Sequence, residues 1–200
     1  MQIIKNGFVG SFCLGLLLVV VGCQPQDKTV SSKKPQAGAP ATIQVQSPAF
    51  TNGQPIPRRY ATEEDVSPPL SWSPIPDDTR SVAIIVEDPD AEGFSPRVHW
   101  VIYNIAPSVK TLPENRPHDE KLREPFEARQ GKNSNGKIGY LHPDPQRGDK
   151  PHHYYFQVYA LDRVIPAKDE ALSRDDLLKL MDGHVLAKGV LVGTYQHPSE

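Results

Sequence analysis

Short apolar runs separated by proline- and glycine-rich turns dominate the chain from residue 43 onward. Residues 81–86 are almost continuously apolar, which is typical of a strand that is covered on both faces. Apolar stretches predict strands in five further places: residues 98–105, 154–161 and 187–195 and, shorter, 43–45 and 70–72. In the last long stretch we expect Gly189 and Gly193 to be weak points of the strand.

Helical periodicity is convincing only in residues 173–181. Ser173 can cap this helix, Asp175 and Asp176 occupy its first turn, and Gly183 follows its end. Strands joined by long proline-rich segments, with one or two short peripheral helices, predict an all-β fold. We expect a mainly antiparallel sandwich of two sheets with Greek-key connections.

The first 22 residues have the pattern of a secretory signal. Lys5 precedes 14 mostly apolar residues, 8–21, whereas a membrane-spanning helix needs about 20. The stretch ending in Cys23 (Val-Val-Gly-Cys) resembles the bacterial lipobox, which predicts a lipid on Cys23; an ordinary cleaved signal with an incidental cysteine is the alternative. Because lipoproteins retained at the inner membrane tend to have Asp next, Gln24 implies the outer membrane in a cell that has one.

Cysteine usage is consistent with the lipobox. The chain has two Cys, and Cys13 would be removed with the signal. The mature domain would then have no thiol, and therefore no disulfide, cysteine-ligated metal or cysteine nucleophile. Residues 23–42 contain too little apolar surface for a core, so we predict a lipidated Cys followed by a disordered tether. Residues 43–200 are long enough for one domain.

Charge disfavours a nucleic-acid partner. The formal net charge is −2, and the sequence has no basic stripe and no series of aromatic residues among Lys and Arg. The 21 Pro residues are spread along the chain, which indicates many turns and edge strands and no single linker.

Ionisable residues occur at the ends of several predicted strands. Asp88 and Asp90 follow the buried run, and Pro89 holds Asp88 extended, so both carboxylates can project from a strand-to-loop corner. Turn capping is the alternative interpretation, because Asp often bonds its own backbone.

Histidines lie within or at the start of two other strands. Alternation puts His99 on one face with Val101, Tyr103 and Ile105, opposite Trp100, Ile102 and Asn104. It also puts His152 on the same face as Tyr154, with His153 on the other. A purely structural role is the alternative for His99, and an exposed strand start is the alternative for His152 and His153.

Several motifs, in order, resemble the phosphatidylethanolamine-binding protein (PEBP) family in its bacterial Raf-kinase-inhibitor-like branch. The similarity extends over residues 43–196. It is carried by Asp88-Pro89-Asp90-Ala91 with His99-Trp100, by Gly131-Lys132-Asn133-Ser134-Asn135-Gly136 with Gly139-Tyr140, and by His152-His153-Tyr154-Tyr155-Phe156. The resemblance implies a large sheet packed on a smaller one, with a pocket for phosphate, acetate or phosphoryl head groups.

The matching motifs assign ligand binding to Asp88, Asp90, His99, His152 and Tyr154. The chain departs from the family pattern in three places, of which the first two lie in the loop that forms one pocket wall in the family and the third in a separate turn. His142-Pro143 stands where Gly-Pro is usual, Gln146 replaces a common Pro, and Glu64 precedes Asp65 where Gly is usual. We therefore include His142 and Pro143 among the candidate ligand-binding residues.

An anion needs hydrogen-bond donors, which His99 and His152 can supply from ring nitrogens and Tyr154 from its hydroxyl. Asp88 can accept from a histidine and favour its charged form, or Asp88 or Asp90 can meet the ammonium of a zwitterion such as phosphoethanolamine. On this hypothesis affinity falls as pH rises through the histidine pKa.

Three rival functions stay open. A hydrolase is disfavoured because the sequence has neither Gly-x-Ser-x-Gly nor His-Glu-x-x-His. A metal site built from Asp88, His99 and His152 has a known ligand set, but the resemblance does not imply one, and no cofactor is expected. A module that inhibits or modulates an envelope protein is compatible with ligand binding. We expect a binding protein without enzymatic activity, anchored outside the cytoplasm.

Overall fold

The structure is a computed structural model that describes residues 43–61, 64–125, 127–166 and 170–198. The predicted signal, the predicted lipid attachment at Cys23 and the predicted tether all lie outside these residues. Of the helices in the described part of the chain, none has the length and apolar character that a membrane crossing requires.

The described residues form nine strands and one α-helix. In chain order they are β1 (Gln44–Gln46), β2 (Gln54–Pro55), β3 (Leu70–Ser73), β4 (Ser81–Asp88), β5 (Arg97–Ile105), β6 (Thr111–Leu112), β7 (Arg129–Gln130), β8 (His152–Leu161), α1 (Arg174–Met181) and β9 (Val185–Tyr195). A single 3-10 turn covers Arg58–Tyr60. The predicted strands and helix are all present, with ends that differ by a few residues.

The strands form two sheets. The larger has the order β2-β9-β8-β4-β5-β7, and the smaller has the order β1-β3-β6. Every pairing is antiparallel except that between β2 and β9. The predicted mainly antiparallel, two-sheet β architecture is therefore confirmed.

Strand β4 is buried along its whole length, as its apolar run predicted. Val82, Ile84 and Val86 join the core that lies between the two sheets. Ala83 and Ile85 face the other way, into a second core that α1 covers. Helix α1 starts with the expected cap, since the Ser173 side chain accepts from the Asp176 N–H within a capping box.

Gly189 and Gly193, expected as weak points of β9, are sites of close approach, and the strand is paired through both. A Cβ on Gly189 would lie 2.0 Å from the Ile43 carbonyl oxygen, and one on Gly193 would lie 2.5 Å from Ile56 Cγ1. Because no side chain fits there, glycine lets neighbouring segments pack directly on the sheet.

Two irregularities of β5 break the alternation that the sequence predicted. Val86 and Glu87 of β4 pair with Trp100 and Val98, which leaves His99 as an extra residue. Near the other end of β5, Asn104 has a φ of 60°, and Ile105 joins the same core as Trp100 instead of the core of Val101 and Tyr103. A bulge of this kind redirects side chains and is frequent next to functional sites.

Candidate functional site

A cavity of about 540 Å³ opens at one end of the central strands of the large sheet, where β4 ends and β5 and β8 begin. Asp88, His99, His152 and Tyr154 all line it. The loops at residues 91–96 and 144–149 form most of the rest of its wall, which Arg97 and Ser134 complete. Four of the seven residues predicted to bind ligand are therefore brought together.

Asp88 is 2% exposed and organises this cluster. Its Oδ1 accepts from the backbone N–H groups of Asp90 at 2.8 Å and Ala91 at 3.1 Å. Its Oδ2 lies 2.8 Å from Nδ1 of His152. The Asp88 side chain therefore has both of the roles considered for the Asp-Pro-Asp motif. It caps its turn, and it also bonds a histidine of the candidate site.

The two nitrogens of the His152 ring have different neighbours, since one bonds Asp88 and the other lies near Asp149. Because a carboxylate can only accept, Nδ1 carries the proton in the bond to Asp88. The other nitrogen, Nε2, lies 3.5 Å from the Asp149 carboxylate. His152 and Tyr154 share a face of β8, as alternation predicted, since both line the cavity and the exposed His153 does not.

Tyr154 keeps its phenolic proton. Burial raises its pKa above the usual range, and the nearby Asp88 charge and a hydrogen bond to that carboxylate raise it further. The hydroxyl therefore donates to Asp88. Its ring meets the His99 ring edge-on, with 5.1 Å between centroids.

His99 is 1% exposed, and its Nδ1 lies 2.8 Å from the Leu141 carbonyl oxygen. Since a carbonyl only accepts, Nδ1 is the protonated nitrogen. Burial lowers the His99 pKa to about 4, against the opposing effects of the Leu141 bond and the Asp88 charge. In the neutral ring the Nδ1 proton is used by Leu141, so His99 could donate to a ligand only in its charged form, which burial disfavours.

The other three predicted site residues do not line the cavity. Asp90 turns away and accepts from the backbone N–H and Nδ1 of His153. The His142 ring and backbone N–H both bond the Asp65 carboxylate. Pro143 is buried. His142, which stands where the family usually has Gly, therefore bonds Asp65 and does not line the cavity.

Several lining residues were not predicted from the sequence. Arg97 supplies a cation, while Glu92, Asp144 and Asp149 add three carboxylates to that of Asp88. Arg97 stands two residues before His99 on one strand, which is the only sequence signal for it. Phe94 is fully exposed at this site. The cavity therefore has more acidic than basic groups.

Within the described residues, no three His, Cys, Asp or Glu side chains come together in a way that could hold a metal ion.

A sequence model described as phosphatidylethanolamine-binding protein matches residues 46–196. Among the relatives, a UPF0098 protein of Chlamydia muridarum is 42% identical over 159 residues, covering 77% of this chain and 99% of the relative. A UPF0098 protein of Pyrococcus horikoshii is 43% identical over 151 residues and covers 75% of each chain.

Two solved structures are similar in fold. A PEBP homologue from Chlamydia trachomatis has a TM-score of 0.69 and 38% identity, covering 80% of this chain and all of that one. An E. coli protein described as a new member of the mammalian PEBP family has a TM-score of 0.73 and 31% identity. The match covers 79% of this chain and 100% of the E. coli chain.

Proposed function

This chain belongs to the phosphatidylethanolamine-binding protein family, and we propose that its domain binds a small anionic or phosphoryl ligand of the phosphoethanolamine type. The observation that carries the proposal is the convergence of buried Asp88, His99, His152 and Tyr154 on one cavity. Buried ionisable groups in a concave site are the usual mark of ligand binding.

The charges around the cavity suit a ligand that carries both signs. Arg97 lines the cavity and can attract a phosphoryl oxygen, together with His152 through its Nε2 when that nitrogen is protonated. Both oxygens of Asp88 already accept hydrogen bonds, and Asp90 bonds His153. An ammonium group would therefore meet Glu92 or Asp149, and not Asp88 or Asp90 as the sequence suggested.

A calorimetric titration of the full 200-residue chain with phosphate and with phosphoethanolamine tests this proposal. We expect saturable binding of both ligands, and tighter binding of phosphoethanolamine because its ammonium meets the acidic part of the wall. Titration with chloride at matched ionic strength is the control. Heats no larger than those for chloride would refute the proposed function.

The proposal includes a lipid anchor at Cys23 outside the cytoplasm, supported by the sequence alone. Each acyl CH₂ buried in a membrane contributes ~0.8 kcal/mol, so two or more chains hold a protein firmly. We expect the wild-type protein to partition into the membrane fraction and Cys23→Ser to appear in the soluble fraction. Equal membrane partition of the two proteins would argue against the anchor.

A second candidate function is a protein-interaction module, and the fully exposed Phe94 at the cavity favours it. An exposed aromatic side chain is typical of a contact residue. The titration above separates the two functions. A domain that ignores both phosphoryl ligands, yet binds an envelope protein in a manner abolished by Phe94→Ser, would support the second.

A further inference from the structure

We propose that the cavity selects its ligand by a proton, with His99 Nε2 accepting a hydrogen bond from a donor on the ligand, either a P–OH or the ammonium N–H of phosphoethanolamine. Phosphoryl ligands that bring such a donor would bind, and oxyanions of the same shape that have no donor would be rejected. This inference rests on the proposed function and adds to it a rule for which anions qualify.

The first step is the tautomer of His99. Nδ1 donates to the Leu141 carbonyl oxygen over 2.8 Å, so in the neutral ring Nε2 carries a lone pair and no proton. The low pKa of about 4, caused mainly by burial, is consistent with a neutral ring. His99 therefore offers the ligand an acceptor.

The second step is that this acceptor is buried and unsatisfied. His99 is 1% exposed and lines the cavity, and Nε2 has no hydrogen-bond partner among the described residues. Buried polar atoms are nearly always paired, and an unpaired one calls for an explanation such as a ligand or an unseen water. A ligand that donates to Nε2 would satisfy it.

The bulge in β5 explains how the ring reaches this position. His99 is the extra residue between the pairs Val86–Trp100 and Glu87–Val98. Its ring therefore meets Tyr154 edge-on, even though Val98, one residue before it, and Val101, two residues after it, pack with the other core. The bulge and the Leu141 bond together fix where the lone pair lies.

The charged groups at the cavity also favour a donor on the ligand. Glu92, Asp144 and Asp149 present acceptor oxygens, and the Tyr154 hydroxyl, which keeps its proton, already donates to Asp88. Arg97 is the cation among the described lining residues. A fully ionised oxyanion brings only acceptor oxygens to a wall that already has many acceptors. A ligand with a P–OH, in contrast, can donate a hydrogen bond to one of the wall's acceptors.

Three tetrahedral dianions isolate the effect of the proton. At a pH of about 8.5, hydrogen phosphate, monofluorophosphate and sulfate all carry the same charge, but only hydrogen phosphate has a hydroxyl to donate. In calorimetric titrations of the full chain we expect phosphate to bind at least about 10-fold more tightly than the other two, because leaving a buried acceptor unpaired is costly.

Variants assign the selection to His99. His99→Phe keeps a ring against Tyr154 but removes the acceptor, so we expect the ratio of phosphate to monofluorophosphate affinity to fall to about 1. His153→Phe, an exposed residue that does not line the cavity, should leave the ratio unchanged. If His99→Phe does not fold, the wild-type comparison still decides the question.

The outcomes are distinct. Equal affinity of the wild-type protein for all three dianions would leave ligand binding intact and overturn selection by the proton. Absence of binding for all three, with phosphoethanolamine also ignored, would refute the proposed function and this inference with it. An unchanged ratio in a folded His99→Phe protein would contradict the role of His99.

Discussion

Replacing Asp88 by asparagine is expected to weaken phosphate binding by about 10- to 100-fold, since hydrogen bonds to a charged group contribute about 1.5–3 kcal/mol. The asparagine oxygen can still accept from the Asp90 and Ala91 N–H groups and keep the turn. Its NH₂, however, would face His152 Nδ1 and the Tyr154 hydroxyl, which both donate to the wild-type carboxylate. The two hydrogen bonds that Asp88 accepts from His152 and Tyr154 would then be lost, and with them the fixed positions of both side chains at the cavity.

Asp90→Asn is the matched control, since it makes the same chemical change two residues along the chain. Asp90 is half-exposed, pairs with His153 and does not line the cavity. We expect its effect on phosphate affinity, measured by the same calorimetry, to stay below about 2-fold, as for an exposed ion pair. Similar losses in the two variants would contradict the assignment of Asp88 as the organising carboxylate.

Arg174→Met is expected to lower the free energy of unfolding by about 3–5 kcal/mol, because it leaves a buried carboxylate without its cation. The Glu87 side chain is 8% exposed and lies on β4, whereas Arg174 begins α1. Arg174 Nε donates to Glu87 Oε2 over 2.9 Å, and Gln157 donates to Oε1. This pair ties the helix to the large sheet.

Urea unfolding of the variants measures the effect. Arg174→Lys keeps the charge but loses the guanidinium geometry, so its stability should lie between wild type and Arg174→Met. The double variant Glu87→Gln with Arg174→Met should be more stable than Arg174→Met alone, because a neutral amide needs no counter-ion. A double variant no more stable than the single one would show that the loss is not due to an unpaired charge.

Much of the fold was predictable because long strands in a two-sided core must be apolar. Strand β4 shows this most clearly, since both of its faces are buried. Strands β2, β6 and β7 have two residues each and were not predicted, because two residues show no periodicity. Their positions depend on pairing with strands distant in sequence.

The site was predictable only where strand geometry is regular. Alternation correctly put His152 and Tyr154 together on β8. It failed for the neighbours of His99, because a bulge depends on pairing with β4 and leaves no mark in the sequence of β5 alone. The motif that contains Asp88 and Asp90 likewise could not reveal which carboxylate faces the cavity, since that choice follows from the turn.

The direction of hydrogen bonding at His99 was also beyond sequence reasoning. A histidine in a strand can donate or accept, and the outcome here depends on the Leu141 carbonyl, 42 residues away. Burial of the His99 ring then favours its neutral form. The resemblance to the family identified the residues of the site, but the structure was needed to assign their protonation.

Side-chain NMR of the seven histidines during a phosphate titration tests the central claim most directly, namely that ligand binds in the cavity formed by the ends of β4, β5 and β8. We predict saturable shifts at His99 and His152, with His99 keeping its proton on Nδ1. The other five histidines, which do not line the cavity, serve as internal controls. Shifts at those five alone, or at no histidine, would contradict the account.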